Sequence, residues 1–251
     1  MLDAPNLRLS VQNRLLSVLP DEEFDYLYPH LEPVSFSRGT TINQAGDDLN
    51  RCYFPNDGMI SLLSVTEQGN AVEVGFTGYE GVLGLPILLG NKEMPYQALV
   101  QVKSDCLSVD AKYVKELFDR GGMFHDVILR YLYVMFRQVG QTCVCNHFHT
   151  IEARLCRWLT VMCERSNNNY LVLTQEFLAH MLGVQRTSIG LIANSLQQKE
   201  IIRYSRGKIE ILDSASLKNL ACECYFVVNE EFKKFLADKN FPLMSDTRQT
   251  V

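Results

Sequence analysis

The sequence predicts an α+β protein: an N-terminal β-roll or jelly roll, a long helix suited to dimerisation, and a C-terminal winged helix-turn-helix. Three observations carry this. Between Leu171 and Leu212, two short segments with apolar residues at helical spacing flank Gly183, and a hairpin follows directly. Between Glu32 and Val109, short β-rich runs alternate with turn residues at close intervals. From Met123 to Ala153, one set of positions repeats on alternating four-three spacing.

At the start of the chain, residues from about 7 to 31 read as short helices. Leu15, Leu16 and Leu19 share an apolar face ahead of Pro20. Asp21-Glu22-Glu23 then opens a second helix, with acids favoured in its first turn. In the β-rich region, the turn signals are Arg38-Gly39, Ala45 to Asp48, Asn56-Asp57-Gly58, Gln68-Gly69-Asn70 and Thr77-Gly78. Between them lie the strand candidates Cys52 to Phe54, Met59 to Val65, Ala71 to Phe76 and Ala98 to Val102. Gly81 to Pro86 interrupts the β pattern with room for a short helix.

The repeating positions of the long helix are Phe124, Ile128, Tyr131, Met135, Gln138, Thr142, Cys145 and His149. They form a coiled-coil type of seam, apolar in its first half and more polar in its second, on a rod of about 45 Å. A seam of that length on a helix joining two domains is assigned to a dimer interface, with an intrachain contact as the alternative. Gly140 lies mid-rod and costs about 1 kcal/mol of helix propensity. Glu152 to Cys163 continues helical, with Leu155, Trp158, Leu159 and Met162 facing inward. The expected divisions are a β-roll with its N-terminal helices over 1–122, a dimerisation helix over 123–153, a winged helix-turn-helix over 154–229 and a tail over 230–251.

In the helix-turn-helix, Thr174 is a plausible N-cap, since its hydroxyl can accept from a free first-turn amide. Phe177, Leu178, Met181 and Leu182 give the first helix one apolar face, and Gly183 suits the tight turn. The second helix runs from about Gln185 to Gln198 on a buried stripe of Ile189, Ile192, Ala193 and Leu196. Its other face carries Thr187, Leu191, Asn194 and Gln198. Arg186 and Ser188 stand at the N-terminal end, the end that such helices push into the major groove. Ile201 to Tyr204 and Lys208 to Ile211 form the hairpin around Ser205-Arg206-Gly207. From Val184 to Lys208 there are five bases, Arg186, Lys199, Arg203, Arg206 and Lys208, against the single acid Glu200, in a chain whose net charge is −5. A basic island in an acidic protein is the electrostatic footprint of phosphate contact. The candidate DNA contacts are therefore Thr174, Gln185, Arg186, Thr187, Ser188 and Leu191 in the helix pair, with Arg203, Arg206 and Lys208 in the wing. The competing view, a helical packing module with a solvated basic face, leaves the hairpin unexplained.

The 251 residues suit two domains, and 47% hydrophobic with 21% charged residues is ordinary globular composition. The N-terminus lacks a signal-peptide core, and the longest uncharged apolar run, Gly81 to Gly90, is too short for a bilayer. A cytoplasmic protein with no membrane partner is expected. Eight scattered cysteines fit thiols better than a disulfide framework.

The order β-roll, long helix, winged helix-turn-helix resembles the Crp/Fnr superfamily of transcription regulators over about residues 10 to 212. The resemblance is most specific at Leu173-Thr174-Gln175-Glu176 through Gly183 and at Arg186-Thr187-Ser188-Ile189-Gly190. It implies a homodimer on a palindromic site in double-stranded DNA, a cyclic-nucleotide-binding-like sensor and contact with RNA polymerase. It makes Arg186 the match to the family's base-reading arginine. Thr187 and Leu191 stand where the prototype has charged residues, so its target sequence is not expected here.

The effector pocket implied by the resemblance falls at Val82, Leu83, Gly84, Tyr96 and Gln97. A cyclic nucleotide needs an acidic acceptor for its ribose and an arginine fork for its phosphate. Val82 stands at the first position and Tyr96 opens the second, so cyclic AMP is not expected and the effector is unknown. The four-cysteine N-terminal pattern of iron–sulfur members is also absent. Cys143-Val144-Cys145-Asn146-His147-Phe148-His149 carries soft ligands. On a continuous helix, residues two apart diverge, and Cys222-Glu223-Cys224 reads as equally divergent, so no metal site is assigned. Cys145 and His149 remain as a helical-neighbour pair. Two other classes stand beside the regulator: a protein-binding adaptor and a thiol- or metal-responsive sensor of the same fold. An enzyme is not expected, since the chain shows no phosphate loop, nucleophile elbow or paired carboxylates in a pocket-like context.

Overall fold

The computed structural model describes residues 11–237. What the sequence predicts for residues 7–10 and for the tail beyond 237 lies outside the described residues. Helix α1 (Arg14–Ser17) is capped by Asn13, whose side chain accepts from Leu15 and Leu16 amides. The same side chain donates to the Pro55 and Gly81 carbonyls, both at 2.8 Å, and so fastens the helix to the β-roll. Helix α2 (Asp21–Leu27) opens on its three acids as expected.

The β-roll comprises β1 (Glu32–Phe36), β2 (Thr41–Asn43), β3 (Arg51–Pro55), β4 (Met59–Val65), β5 (Ala71–Thr77), β6 (Gln97–Val102) and β7 (Ser104–Asp110). They form two antiparallel sheets, ordered β1-β7-β3 and β2-β6-β4-β5. Phe54, Met59, Ile60, Leu63 and Val100 are buried in the core. The interruption at Gly81 to Pro86 leads into a short helix, α3 (Leu85–Leu88). Asp110 then caps α4 (Ala111–Asp119).

Helix α5 (Met123–Phe148) is 26 residues long, about 39 Å. Glu23 of α2 caps it by accepting from the Met123 and Phe124 amides at 2.8 and 2.7 Å. It stops short of the expected end at 153. His149 is extended (ψ 146), and Thr150 begins α6 (Ile151–Ser166) as an N-cap accepting from the Ala153 amide. The apolar periodicity runs through the break because both helices are amphipathic; the hydroxyl of Thr150 is the stop signal.

The predicted dimer seam is corrected. Phe124, Ile128, Tyr131, Met135, Gln138, Thr142 and Cys145 are all buried within the single chain, and His149 is partly buried. The Tyr131 and Thr77 hydroxyls are 2.7 Å apart, and the Gln138 side-chain carbonyl accepts from the Phe76 amide at 2.8 Å. Gly75 and Gly81 make room: a Cβ on Gly81 would lie 2.0 Å from the Tyr131 oxygen. The seam also meets α10 (Cys224–Ala237), whose Phe235 ring lies 6.0 Å from that of Tyr131. The spacing was legible, but its partner is the chain's own β5 and C-terminal helix. The expected boundary at 229 cuts through α10.

The C-terminal domain contains β8 (Tyr170–Val172), α7 (Gln175–Leu182), α8 (Arg186–Gln198), β9 (Ile202–Ser205), β10 (Lys208–Ile211) and α9 (Ser214–Leu220), with sheet order β8-β10-β9. Ile189, Ala193 and Leu196 are buried as expected, with Ile192 half-buried. The wing turn is tighter than predicted. Ser205 pairs within β9, and Arg206 (φ 50) and Gly207 (φ 75) alone make the bend, a two-residue turn with both φ positive. Helix α6 docks on the β-roll through Trp158, whose indole donates to Glu73 at 3.2 Å, and through Arg165, which pairs with Glu80.

Candidate nucleic-acid interface and sulfur–imidazole cluster

The Thr174 hydroxyl caps α7, accepting from the Phe177 amide at 3.1 Å, and the side chain stays exposed. Gly183 ends that helix in the left-handed region (φ 61). Gln185 is the N-cap of α8 but makes no side-chain cap bond. Arg186 and Thr187 are exposed and Ser188 is half-buried. Leu191 is 73% exposed, a large apolar side chain standing in solvent on the outward face. Gln185 and Arg186 border a groove of about 600 Å³, walled by Gly69 and Asn70 from the β4–β5 hairpin and by Glu176 and His180 from α7.

The wing bases gather separately. Arg203, Arg206 and Lys208 line a groove of about 300 Å³ with Tyr170, Ser205 and Glu210, and Arg203 pairs with Glu210 at 2.6 Å. The Gln197 side chain accepts from the Tyr204 amide at 2.8 Å, which fixes the wing to α8. Five of the nine candidate DNA contacts thus line two separate grooves, and the Gln197–Tyr204 bond links the helix and the wing that carry them.

The effector candidates divide. Val82 and Leu83 are buried, and the Leu83 amide and carbonyl are both spent on Tyr53 at 2.9 Å. Gly84 (φ 113) sits so close to Cys52 that a Cβ would meet its sulfur at 2.8 Å. All three are packed into the β-roll. Tyr96 and Gln97 are half-buried at the start of β6.

The exposed apolar face of α5 is Leu129, Tyr133, Phe136, Val144 and Phe148, with Phe136 at 78% and Phe148 at 74%. It lies on the opposite side of the helix from the predicted seam, roughly 175° around on average at about 100° per residue. Gly140 falls on this side, with nothing within 4 Å of a Cβ placed there.

The expected divergence of Cys222 and Cys224 does not hold in the fold. The ligand atoms of Cys145, His149, Cys222 and Cys224 all lie within 4.8 Å of one another. Cys143 diverges as expected and is exposed. Cys222 and Cys224, however, are not on a common helix. Cys222 lies in the turn after α9, and α10 begins at Cys224, so the bend brings both sulfurs to one side. The Cys145 and Cys222 sulfurs are 3.4 Å apart. The hydrogen bond from Cys222 pushes the Cys145 thiol down to about 5, against the effect of burial, and the same bond pushes Cys222 up. Arg154 and Arg157 stand nearby, each with a buried Nε that has no hydrogen-bond partner. Only the helical-neighbour pair Cys145 and His149 was visible in the sequence.

A β-roll, a long helix and a winged helix-turn-helix on one chain define a transcription regulator that couples a sensor-type domain to a DNA reader. Residues 33–121 match the model of the cyclic nucleotide-binding domain, and residues 153–220 match that of the Crp-like helix-turn-helix domain. The chain belongs to the Crp/Fnr superfamily of transcription regulators. It is 25% identical over 186 residues to the global nitrogen regulator of Nostoc sp., covering 70% of this chain and 83% of that protein. It is 25% identical over 197 residues to the transcriptional regulator SdrP of Thermus thermophilus, covering 76% of this chain and 94% of the other. Its fold matches a protein described as a transcriptional regulator of the Crp/Fnr family from Eubacterium rectale, with a TM-score of 0.70 at 18% identity, covering 82% of this chain and 96% of that one. These relatives are regulators, not enzymes. Among the described residues no helix is long and apolar enough to cross a membrane.

Proposed function

We propose that the protein binds a palindromic promoter site as a homodimer in the cytoplasm, places α8 in the major groove, contacts RNA polymerase, and is not controlled by cyclic AMP. The observation that carries the DNA reading is the outward display of Arg186, Thr187 and Leu191 at the start of α8, beside a basic wing, on a chain of net charge −5. The exposed α5 face from Leu129 to Phe148 supports the dimer, with Gly140 allowing close helix approach. Val82 and Tyr96 in place of the two anchors, with Val82 buried, argue against cyclic AMP; titration calorimetry should detect no binding of it. The working divisions are a β-roll to residue 122, the helix 123–148, a reader over 151–220 and the C-terminal helix 224–237.

The test is a binding-site selection at two salt concentrations. Arg186 can present its fork to a guanine edge, so Arg186→Ala should cost about 1–3 kcal/mol and relax preference at one position in each half-site. Arg206 on the wing turn reaches the backbone, so Arg206→Ala should weaken all sequences about equally and lower the salt slope by about one counterion. Thr187 and Leu191 can offer only methyl contacts to thymine. An intact motif in Arg186→Ala alongside a changed one in Arg206→Ala would mean that another element reads the bases.

A further inference from the structure

We propose that Cys145, His149, Cys222 and Cys224 bind one thiophilic divalent cation of the zinc class, which pins the joint between α5 and α6 to the C-terminal helix. Four ligand atoms within 4.8 Å of one another need to draw in by about 1 Å at most to close onto a single tetrahedral shell. With zinc–sulfur bonds of about 2.3 Å and zinc–nitrogen bonds of about 2.0 Å, neighbouring ligand atoms of a three-sulfur, one-nitrogen shell stand roughly 3.5–3.8 Å apart. The Cys145–Cys222 and Cys224–His149 contacts are both 3.4 Å.

The imidazole is oriented as a metal-binding histidine is. Its Nδ1 faces the Cys224 sulfur, and its Nε2 meets the Glu223 carboxylate at 3.0 Å, the outer carboxylate that fixes a ligating ring. Gln141 donates to the Cys224 sulfur at 3.1 Å, a bond suited to a thiolate. Loading takes all three sulfurs as thiolates, passes to solvent the protons they still carry, and changes no oxidation state. The product, three thiolates and a neutral imidazole around a divalent cation, carries one net negative charge. Arg154 and Arg157 are placed to balance it, and each keeps an unpartnered buried Nε. A Cys145–Cys222 disulfide is the rival use of these sulfurs, but it gives no role to Cys224 or to the His149–Glu223 contact.

The ligands come from three places that matter together. Cys145 is in the last turn of α5, and His149 is its C-cap. Cys222 follows the last helix of the DNA reader, and Cys224 opens α10. Occupancy therefore couples the reader to the long helix.

The full-length protein, purified reduced, is loaded with zinc(II) or cobalt(II). The expected result is one cation per chain by elemental mass spectrometry. Cobalt should give the intense visible bands of tetrahedral coordination together with thiolate charge transfer. Cys143→Ser should keep the cation and Cys222→Ser should lose it. Glu223→Gln retains all four ligands and the fold, and should weaken zinc about 10–100-fold in chelator competition. Substoichiometric metal in reduced wild type, six-coordinate cobalt spectra, an unchanged affinity in Glu223→Gln, or a Cys145–Cys222 disulfide in protein isolated natively would each overturn the assignment.

Discussion

Arg165 grips Glu80 with both arms of its guanidinium, at 2.6 and 2.8 Å, and so ties the end of α6 to the loop after β5. The Glu80 side chain is 1% exposed and that of Arg165 is 16% exposed, so water screens the pair weakly. The guanidinium also lies 5.2 Å from the Phe76 ring and 5.4 Å from Tyr79. Arg165→Ala strands a buried carboxylate and should cost about 3–5 kcal/mol in urea unfolding. Arg165→Lys restores the charge without the fork and should recover only part of that loss. A loss below about 1 kcal/mol in the alanine variant, the range of surface pairs, would show that water reaches the site.

Glu73 is the second buried carboxylate between the domains, held by Ser61 and Trp158. Burial pushes its carboxyl above the ordinary value of 4.5, although Ser61, Arg157 and Trp158 pull the other way. The folded chain therefore holds this proton more tightly than the unfolded chain. The associated stability is fully present below about 4.5 and is lost as pH rises through the raised folded value. Glu73→Gln should remove that dependence, so its urea midpoint should gain on wild type as pH rises toward neutrality. Parallel pH profiles for the two proteins would refute the raised carboxyl.

Met135 and Phe136 are neighbours in sequence with opposite environments, 8% and 78% exposed. Met135→Glu should destabilise the fold by several kcal/mol, because it forces a charge in beside Gly75 and Gln138. Phe136→Glu should leave the thermal melt nearly unchanged while light scattering shows monomers. A dimer that survives Phe136→Glu would move the interface off this face of α5.

Arg206 holds the left-handed region at φ 50, a conformation that disfavours side chains with a Cβ. Asparagine tolerates it better, so Arg206→Asn should stabilise the chain by about 1 kcal/mol while weakening binding to every DNA sequence. Loss of stability instead would show that the arginine side chain, rather than the backbone angle, dominates at the turn.

Local chemistry made much of this architecture readable. The Thr174 cap, Gly183, the α8 stripe and the strands β3 to β6 depend on neighbours in sequence, and their patterns survive folding. The seam from Phe124 to Cys145 shows the limit. Its period reports that a helix face is buried but carries no label for what buries it, and here β5 and α10 do so. The break at His149 was hidden because one threonine hydroxyl outweighs an unbroken apolar pattern. The sulfur cluster was hidden for another reason. Two of its members lie more than seventy residues from the others, and only the bend between α9 and α10 brings them together.

Helix α6 belongs by sequence to the DNA reader, yet Trp158 and Arg165 on it satisfy carboxylates that belong to the β-roll. The boundary between the two matched domains is therefore a line in the sequence and not a line of weakness. Pulling the reader away would leave Glu73 and Glu80 short of partners at the same moment, so neither half has an inexpensive way to melt first. Calorimetric unfolding should show one transition, with the van't Hoff enthalpy equal to the measured heat, and damage in the reader should lower the melting temperature of the sensor by the same amount.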